Sequence, residues 1–406
     1  MSSTLITGIG VAAPGGLGAE EYWQAALAGR GAIAEVTAFS TEGCLTGLAG
    51  QIADFEAKEH LPSTLRTQTD RSTQLALVAA GWALQDAALQ PGQLADYGMG
   101  VVTSNALGGF DFTHREFRKL WRQGPQYVSV YESFAWFYAV NTGQISIRHG
   151  MRGPSAALVA EQAGGLDALG HARRTVRRGT GLVVSGGIDS ALDPWGFVAQ
   201  QVPGRTSTAT DPARAYLPFD RAARGSVPGE GGALLVLEDE AVARKRGVGR
   251  VHGELAGYAA TFDPAPGSGG EPGLRRAAEL ALADAGVGPE QVDAVFADGA
   301  GVPELDRVEA EAIGRLFGAR AVPVTAPKSR TGRLYSGGGP LDVATALLAI
   351  RDGVLPPTTG TTEVPEEYGL DVVRGDAREL PVRTALVLAR GHRGFNSAVV
   401  VRGFAL

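Results

Sequence analysis

Cysteine is almost missing from this chain: Cys44 is the only one in 406 residues. That excludes an intrachain disulfide framework and any multi-cysteine metal site. Histidine is also scarce. His60, His114, His149, His171, His252 and His392 show no spacing of the His-Glu-x-x-His kind, so no metal and no cofactor is expected. No uninterrupted apolar run approaches the roughly 18 residues of a membrane span. Residues 1–18 carry neither a basic n-region nor an apolar h-region, so no secretory signal is read and the expected location is the cytoplasm. Positive charge is not in excess: 37 Lys and Arg face 43 Asp and Glu, a net charge of -6. A generally basic nucleic-acid binder is thereby excluded. Low-complexity tails and proline-rich linkers are absent as well.

The chain does have apolar residues, at 44%, and glycine, at 58 residues. The first is enough for a large globular core. The second is about twice ordinary usage, without a collagen-like period. The glycines sit at the ends of apolar runs, where tight turns and close backbone packing need them. Apolar strand-like runs alternate with alanine-rich helical ones, which argues for an α/β fold. Strands are expected at Thr4–Thr7, Gly98–Ser104, Ser155–Ala160, Thr180–Ser185, Leu234–Leu237 and Val251–Ala256. Helices are expected at Gln74–Leu89 and from Gln162 onward. Ala241–Arg250 reads as a surface connection.

The sequence also looks duplicated. Residues 83–93 and 281–291 are identical at six of eleven positions: Ala, Leu, Asp, Ala, Pro and Gln. In each copy an alanine-rich helix leads through this linker to an apolar strand and a glycine turn. Two halves are expected, 1–245 and 246–406.

Five segments carry a family resemblance. Tyr216-Leu217-Pro218-Phe219-Asp220 precedes Val227-Pro228-Gly229-Glu230-Gly231-Gly232. Gly299-x-Gly301-x-Pro303-x-x-Asp306-x-x-Glu309-Ala310 follows, then Lys328-Ser329-x-x-Gly332, then Gly394-x-Asn396-Ser397-Ala398. The fifth is Ile145-Ser146-Ile147-Arg148-His149-Gly150-x-x-Gly153-Pro154. In order and spacing these resemble the ketosynthase family of condensing enzymes. The resemblance implies a thiolase-like fold, five-layered αβαβα, built from two duplicated halves.

A condensing enzyme needs a cysteine thiolate at a helix N-terminus to carry the acyl chain. It also needs two histidines for decarboxylation and oxyanion stabilisation. Set against the family motifs, the cysteine position holds Gln162, whose carboxamide cannot form a thioester. The histidine positions hold Asp298 and Arg333, and a permanent cation cannot act as a general base. The family's gating Phe falls at His392. Cys44 lies far from every motif. An Arg333 buried among such residues is expected to pair with Asp298 or Glu161.

A scaffold kept intact around these replacements resembles the chain length factors, or ketosynthase beta subunits, of type II aromatic polyketide synthases. Gly108–Phe117 and Ser133–Tyr138 look closest to the actinorhodin-type factors. The resemblance implies a ketosynthase alpha subunit as partner in a heterodimer. It also implies an acyl carrier protein bearing the polyketide on its phosphopantetheine arm, and an octaketide as the product. Phe110, Thr113 and Phe117 share one face of a helix by their spacing. By resemblance they and Trp195 form the gate of the substrate tunnel. Gln162 has two readings, a filler of a vestigial pocket or a group that promotes malonyl decarboxylation and supplies an acetyl starter. Arg173, Arg174, Arg177 and Arg178 read as a solvated helix face with a basic end, or as a docking site for an acidic carrier protein.

Overall fold

The computed structural model describes residues 2–90, 92–265 and 267–405; Pro91, one of the matched duplicate positions, lies outside them. The first strand, β1 (Thr4–Ala13), is buried along its whole length, whereas the sequence suggested a run ending at Thr7. Gly8 and Gly10 do not break it. They let α1 (Arg71–Asp86), N-capped by Asp70, lie directly on the strand. A Cβ at Gly8 would stand 2.1 Å from the Ala83 carbonyl oxygen, closer than any packed atom can come.

The first half continues with β2 (Met99–Ser104), α2 (Phe110–Gln123), α3 (Val140–His149), β3 (Ser155–Leu158), α4 (Gly164–Arg177), β4 (Leu182–Asp189), α5 (Pro194–Ala199) and β5 (Gly231–Asp239). The second contains β6 (Gly253–Phe262), α6 (Leu274–Ala285), β7 (Ala294–Phe296), α7 (Pro303–Phe317), β8 (Pro323–Thr325), α8 (Gly338–Asp352), β9 (Thr384–Arg390) and β10 (Phe395–Arg402).

The two halves order their strands alike: β3-β2-β4-β5-β1 and β8-β7-β9-β10-β6. The pairings match as well. β2 and β7 pair in parallel with both neighbours, and the following steps are antiparallel. β1 and β6 join the sets through Leu5↔Glu254 and Ile6↔Gly253. Gly257 in β6 repeats Gly8 in β1: a Cβ there would stand 2.1 Å from the Ala281 carbonyl oxygen on α6.

Five layers result. α1 and α3 cover the outer face of the first strand set; α6 and α7 cover that of the second. α4 and α8 fill the space between, where Leu166, Leu169, Leu341 and Leu347 meet residues of both sets. Among the described residues no helix is long and apolar enough to cross a membrane.

One expectation is refined and one needs correction. Ala241–Arg250 is a largely exposed surface connection, but its first part is helical, within the helix Glu240–Arg246 that Asp239 N-caps. Arg246 is nearly buried and pairs with Glu238 at 2.6 Å. Arg173 is not on a solvated face. It is 3% exposed, pairs with Asp284 and donates to the Ala256 carbonyl, so it ties the middle layer to the second half. Arg174 lies over the Tyr258 ring.

Candidate functional site

The turn after β3 delivers Gln162. Glu161–Ala163 form a short 3-10 turn that runs into α4. Glu161 takes φ +51°, a left-handed conformation that costs a side-chain-bearing residue about 1–3 kcal/mol. Gln162 is 5% exposed and borders a cavity of about 1100 Å³. Asp298 follows β7, Arg333 precedes α8, and His392 follows β9. All three border the same cavity. The four positions singled out by the motif resemblance, drawn from both halves, thus converge on one space.

Arg333 Nη2 donates to both carboxylate oxygens of Asp298 at 3.1 Å. Asp298 Oδ1 also accepts from the Arg390 backbone N–H at 3.1 Å. Burial by itself would lower the Arg333 pKa, but Asp298 and Tyr216 outweigh it and hold the guanidinium well above its usual value. The expected ion pair is therefore present, and it uses the two residues on each other. Arg333, a permanent cation, cannot take a proton from a substrate.

The surrounding charged groups are also tied in. The Asp298 and Gly299 backbone N–H groups donate to Glu309 at 2.7 and 2.8 Å. Lys328 donates to the Ala297 carbonyl at 2.6 Å and pairs with Asp342. Arg205 Nη1 donates to His392 Nδ1 at 2.6 Å; a guanidinium only donates, so that imidazole nitrogen accepts. The Glu161 carboxylate accepts from the His392 backbone N–H. Arg205 and Tyr335 also border the cavity, and no local sequence signal marked either one. Cys44 is half-buried beside Phe197 and Ala49, away from this space.

Phe110, Thr113, Phe117 and Trp195 form a separate cluster that does not border the cavity. α2 places Phe110 and Phe117 on one face, and Trp195 at the start of α5 lies against both rings. Its centroid is 4.8 Å from Phe110 and 6.3 Å from Phe117. Thr113, between them, is buried. α5 links the two places, because Ala199 and Gln200 at its far end border the cavity. The cluster opens to the surface: Trp195 is 45% and Trp121 75% exposed. β3 lies at the end of its strand set with one neighbour, β2, so among the described residues its other backbone edge is unpaired.

Residues 1–243 match the beta-ketoacyl synthase N-terminal domain, and residues 252–362 match the C-terminal domain. The chain is 70% identical over 403 residues to the actinorhodin polyketide putative beta-ketoacyl synthase 2 of Streptomyces coelicolor, covering 99% of each. It is 57% identical over 399 residues to the tetracenomycin polyketide synthase ketoacyl synthase beta subunit of Streptomyces glaucescens, covering 98% of each. A solved structure of the ishigamide ketosynthase/chain length factor superposes with a TM-score of 0.87 at 27% identity, covering the whole of both chains. The chain therefore belongs to the beta-ketoacyl synthase family, in its ketosynthase beta, or chain length factor, branch.

Proposed function

We propose that this chain works as the non-condensing half of a type II polyketide synthase. It pairs with a ketosynthase alpha subunit, shapes the tunnel that holds the growing chain and limits its length. One observation carries this reading. Where condensation needs a thiolate and two imidazoles, the chain has Gln162 and a closed Arg333–Asp298 ion pair. The chemistry then falls to the partner, acting on malonyl units and a polyketide held on the phosphopantetheine arm of an acyl carrier protein.

Two surface features support a partner. The free edge of β3 offers unpaired backbone groups beside Ala156, Ala157 and Leu158, with no charge to blunt it. The exposed aromatics Trp121, Trp136 and Phe137 are unusual for an isolated monomer. We infer an obligate heterodimer with a buried area of about 2,000 Å² or more. Kinship to the actinorhodin relative favours an octaketide.

The test is co-expression with a ketosynthase alpha subunit and an acyl carrier protein, with product mass read directly. Alone with malonyl-loaded carrier protein, the chain should neither elongate nor acquire an acyl adduct. A stable adduct on any of its residues would sink the reading.

A further inference from the structure

One carboxylate oxygen links the aromatic cluster to the rest of α2. Asp193 Oδ1 accepts the backbone N–H of Trp195 at 2.9 Å and of Gly196 at 3.3 Å, which caps α5. His114 Nδ1 lies 2.8 Å from the same oxygen. An ionised carboxylate only accepts, so the imidazole donates and Nδ1 carries the hydrogen. Asp193 is nearly buried and His114 about three-quarters so. His114 sits on α2, one residue after Thr113 and between Phe110 and Phe117. The histidine thus grips the cap of the helix that carries Trp195, while its own helix carries the two rings that Trp195 covers.

We infer that His114 is a positioning residue for the gate. It does not touch the polyketide. It fixes the separation between α2 and the start of α5, and hence how closely Trp195 stands over Phe110 and Phe117. Phe197, fully buried against Val36 and Ala49, anchors the other face of α5, while His114 ties its first residues to α2. The helix is six residues long, and its tryptophan is nearly half exposed. Without the imidazole, Asp193 still caps α5, but the tie from this oxygen to α2 is lost and the Trp195 end can shift about the Phe197 anchor. The rings would then part and the tunnel end would lose a fixed wall. This inference rests on the tunnel-gate reading of the cluster and adds a specificity-determining residue outside it.

The experiment compares His114→Ala, His114→Asn and Trp195→Ala, each co-expressed with the same ketosynthase alpha subunit and carrier protein. Heterodimer is first isolated, and the polyketide masses are then read. His114→Ala should raise the share of longer chains by whole ketide units. His114→Asn, whose amide still donates toward Asp193, should restore the original length; a merely structural histidine has no reason to be rescued in product length. If His114→Ala fails to assemble, His114→Leu keeps similar bulk without the donor and carries the same expectation. Unchanged product from the assembled Ala or Leu variant, with a shift in Trp195→Ala, overturns the His114 role alone. Unchanged product from Trp195→Ala overturns the gate reading itself.

Discussion

Asp298 holds Arg333 through both carboxylate oxygens at 3.1 Å, with the two side chains 3% and 13% exposed. On the motif resemblance, each stands at a position that condensing enzymes give to a histidine. The replacements are therefore coupled: a buried guanidinium needs a counter-charge, and the carboxylate needs a cation. Asp298→Ala should destabilise the chain by about 3–5 kcal/mol, because it strands a buried cation. Adding Arg333→Met should recover much of that loss, since the double variant removes both charges of the pair. Unfolding midpoints of the two single variants and the double would show this as a large coupling energy. Additive losses would mean that the pair does not act as a unit.

The duplicated architecture makes a paired expectation. Gly8 and Gly257 occupy equivalent strands and face equivalent carbonyls, those of Ala83 and Ala281, each 2.1 Å from a would-be Cβ. Gly8→Ala and Gly257→Ala should each push a helix off its strand and cost about 1–3 kcal/mol or more. Thermal unfolding of the two variants checks this. A large cost at one site and none at the other would show that the halves pack differently there.

These glycines also mark the limit of what was legible beforehand. Alternating apolar and alanine-rich runs announced an α/β fold, and spaced motifs announced the family and the replaced positions. Gly8 and Gly10 looked like the end of a strand because the helix that needs them begins some sixty residues later. Arg173 looked solvated because its partners, Asp284 and the Ala256 carbonyl, belong to the other half. The helix Glu240–Arg246 was hidden because its buried anchor, Glu238, sits on the preceding strand. The motifs named Gln162, Asp298, Arg333 and His392, yet nothing near Arg205 or Asp193 in sequence points to His392 or His114. Local pattern reports periodicity; pairing across the fold it does not.

His149, in the last turn of α3, allows a test with pH. Burial, with the Arg148 charge beside it, pushes its imidazole down from 6.5 to about 4. A helix C-terminus would ordinarily favour the protonated form, so burial outweighs it here. The folded pKa is depressed. Stability from this group is fully present above about pH 6.5 and falls as pH drops toward 4, because only the unfolded chain takes up the proton. Full burial would make the effect about 3 kcal/mol; the ring is partly solvated, so about 1–2 kcal/mol is expected. His149→Leu should flatten the fall in unfolding midpoint between about pH 7 and pH 5. An unchanged slope would place the acid sensitivity elsewhere.

Chain length is the most direct readout of the proposed role. A polyketone growing in a closed tunnel stops where side chains fill the space, so length should follow the volume removed. Phe110 and Phe117 are the residues to remove, since both rings meet Trp195, at 4.8 and 6.3 Å between centroids. Replacing both with Ala takes away two rings from a partly buried face, at up to about 3–5 kcal/mol each. Heterodimer assembly must therefore be verified before product is read. In the assembled variant, co-expressed with the same ketosynthase, the product should move from octaketide toward longer chains such as decaketides. Trp195 would then face an opened space instead of two rings, and its own replacement should add little further length. An assembled double variant that makes product of unchanged mass would show that these rings only pack α2 against α5, and that the end of the tunnel lies elsewhere.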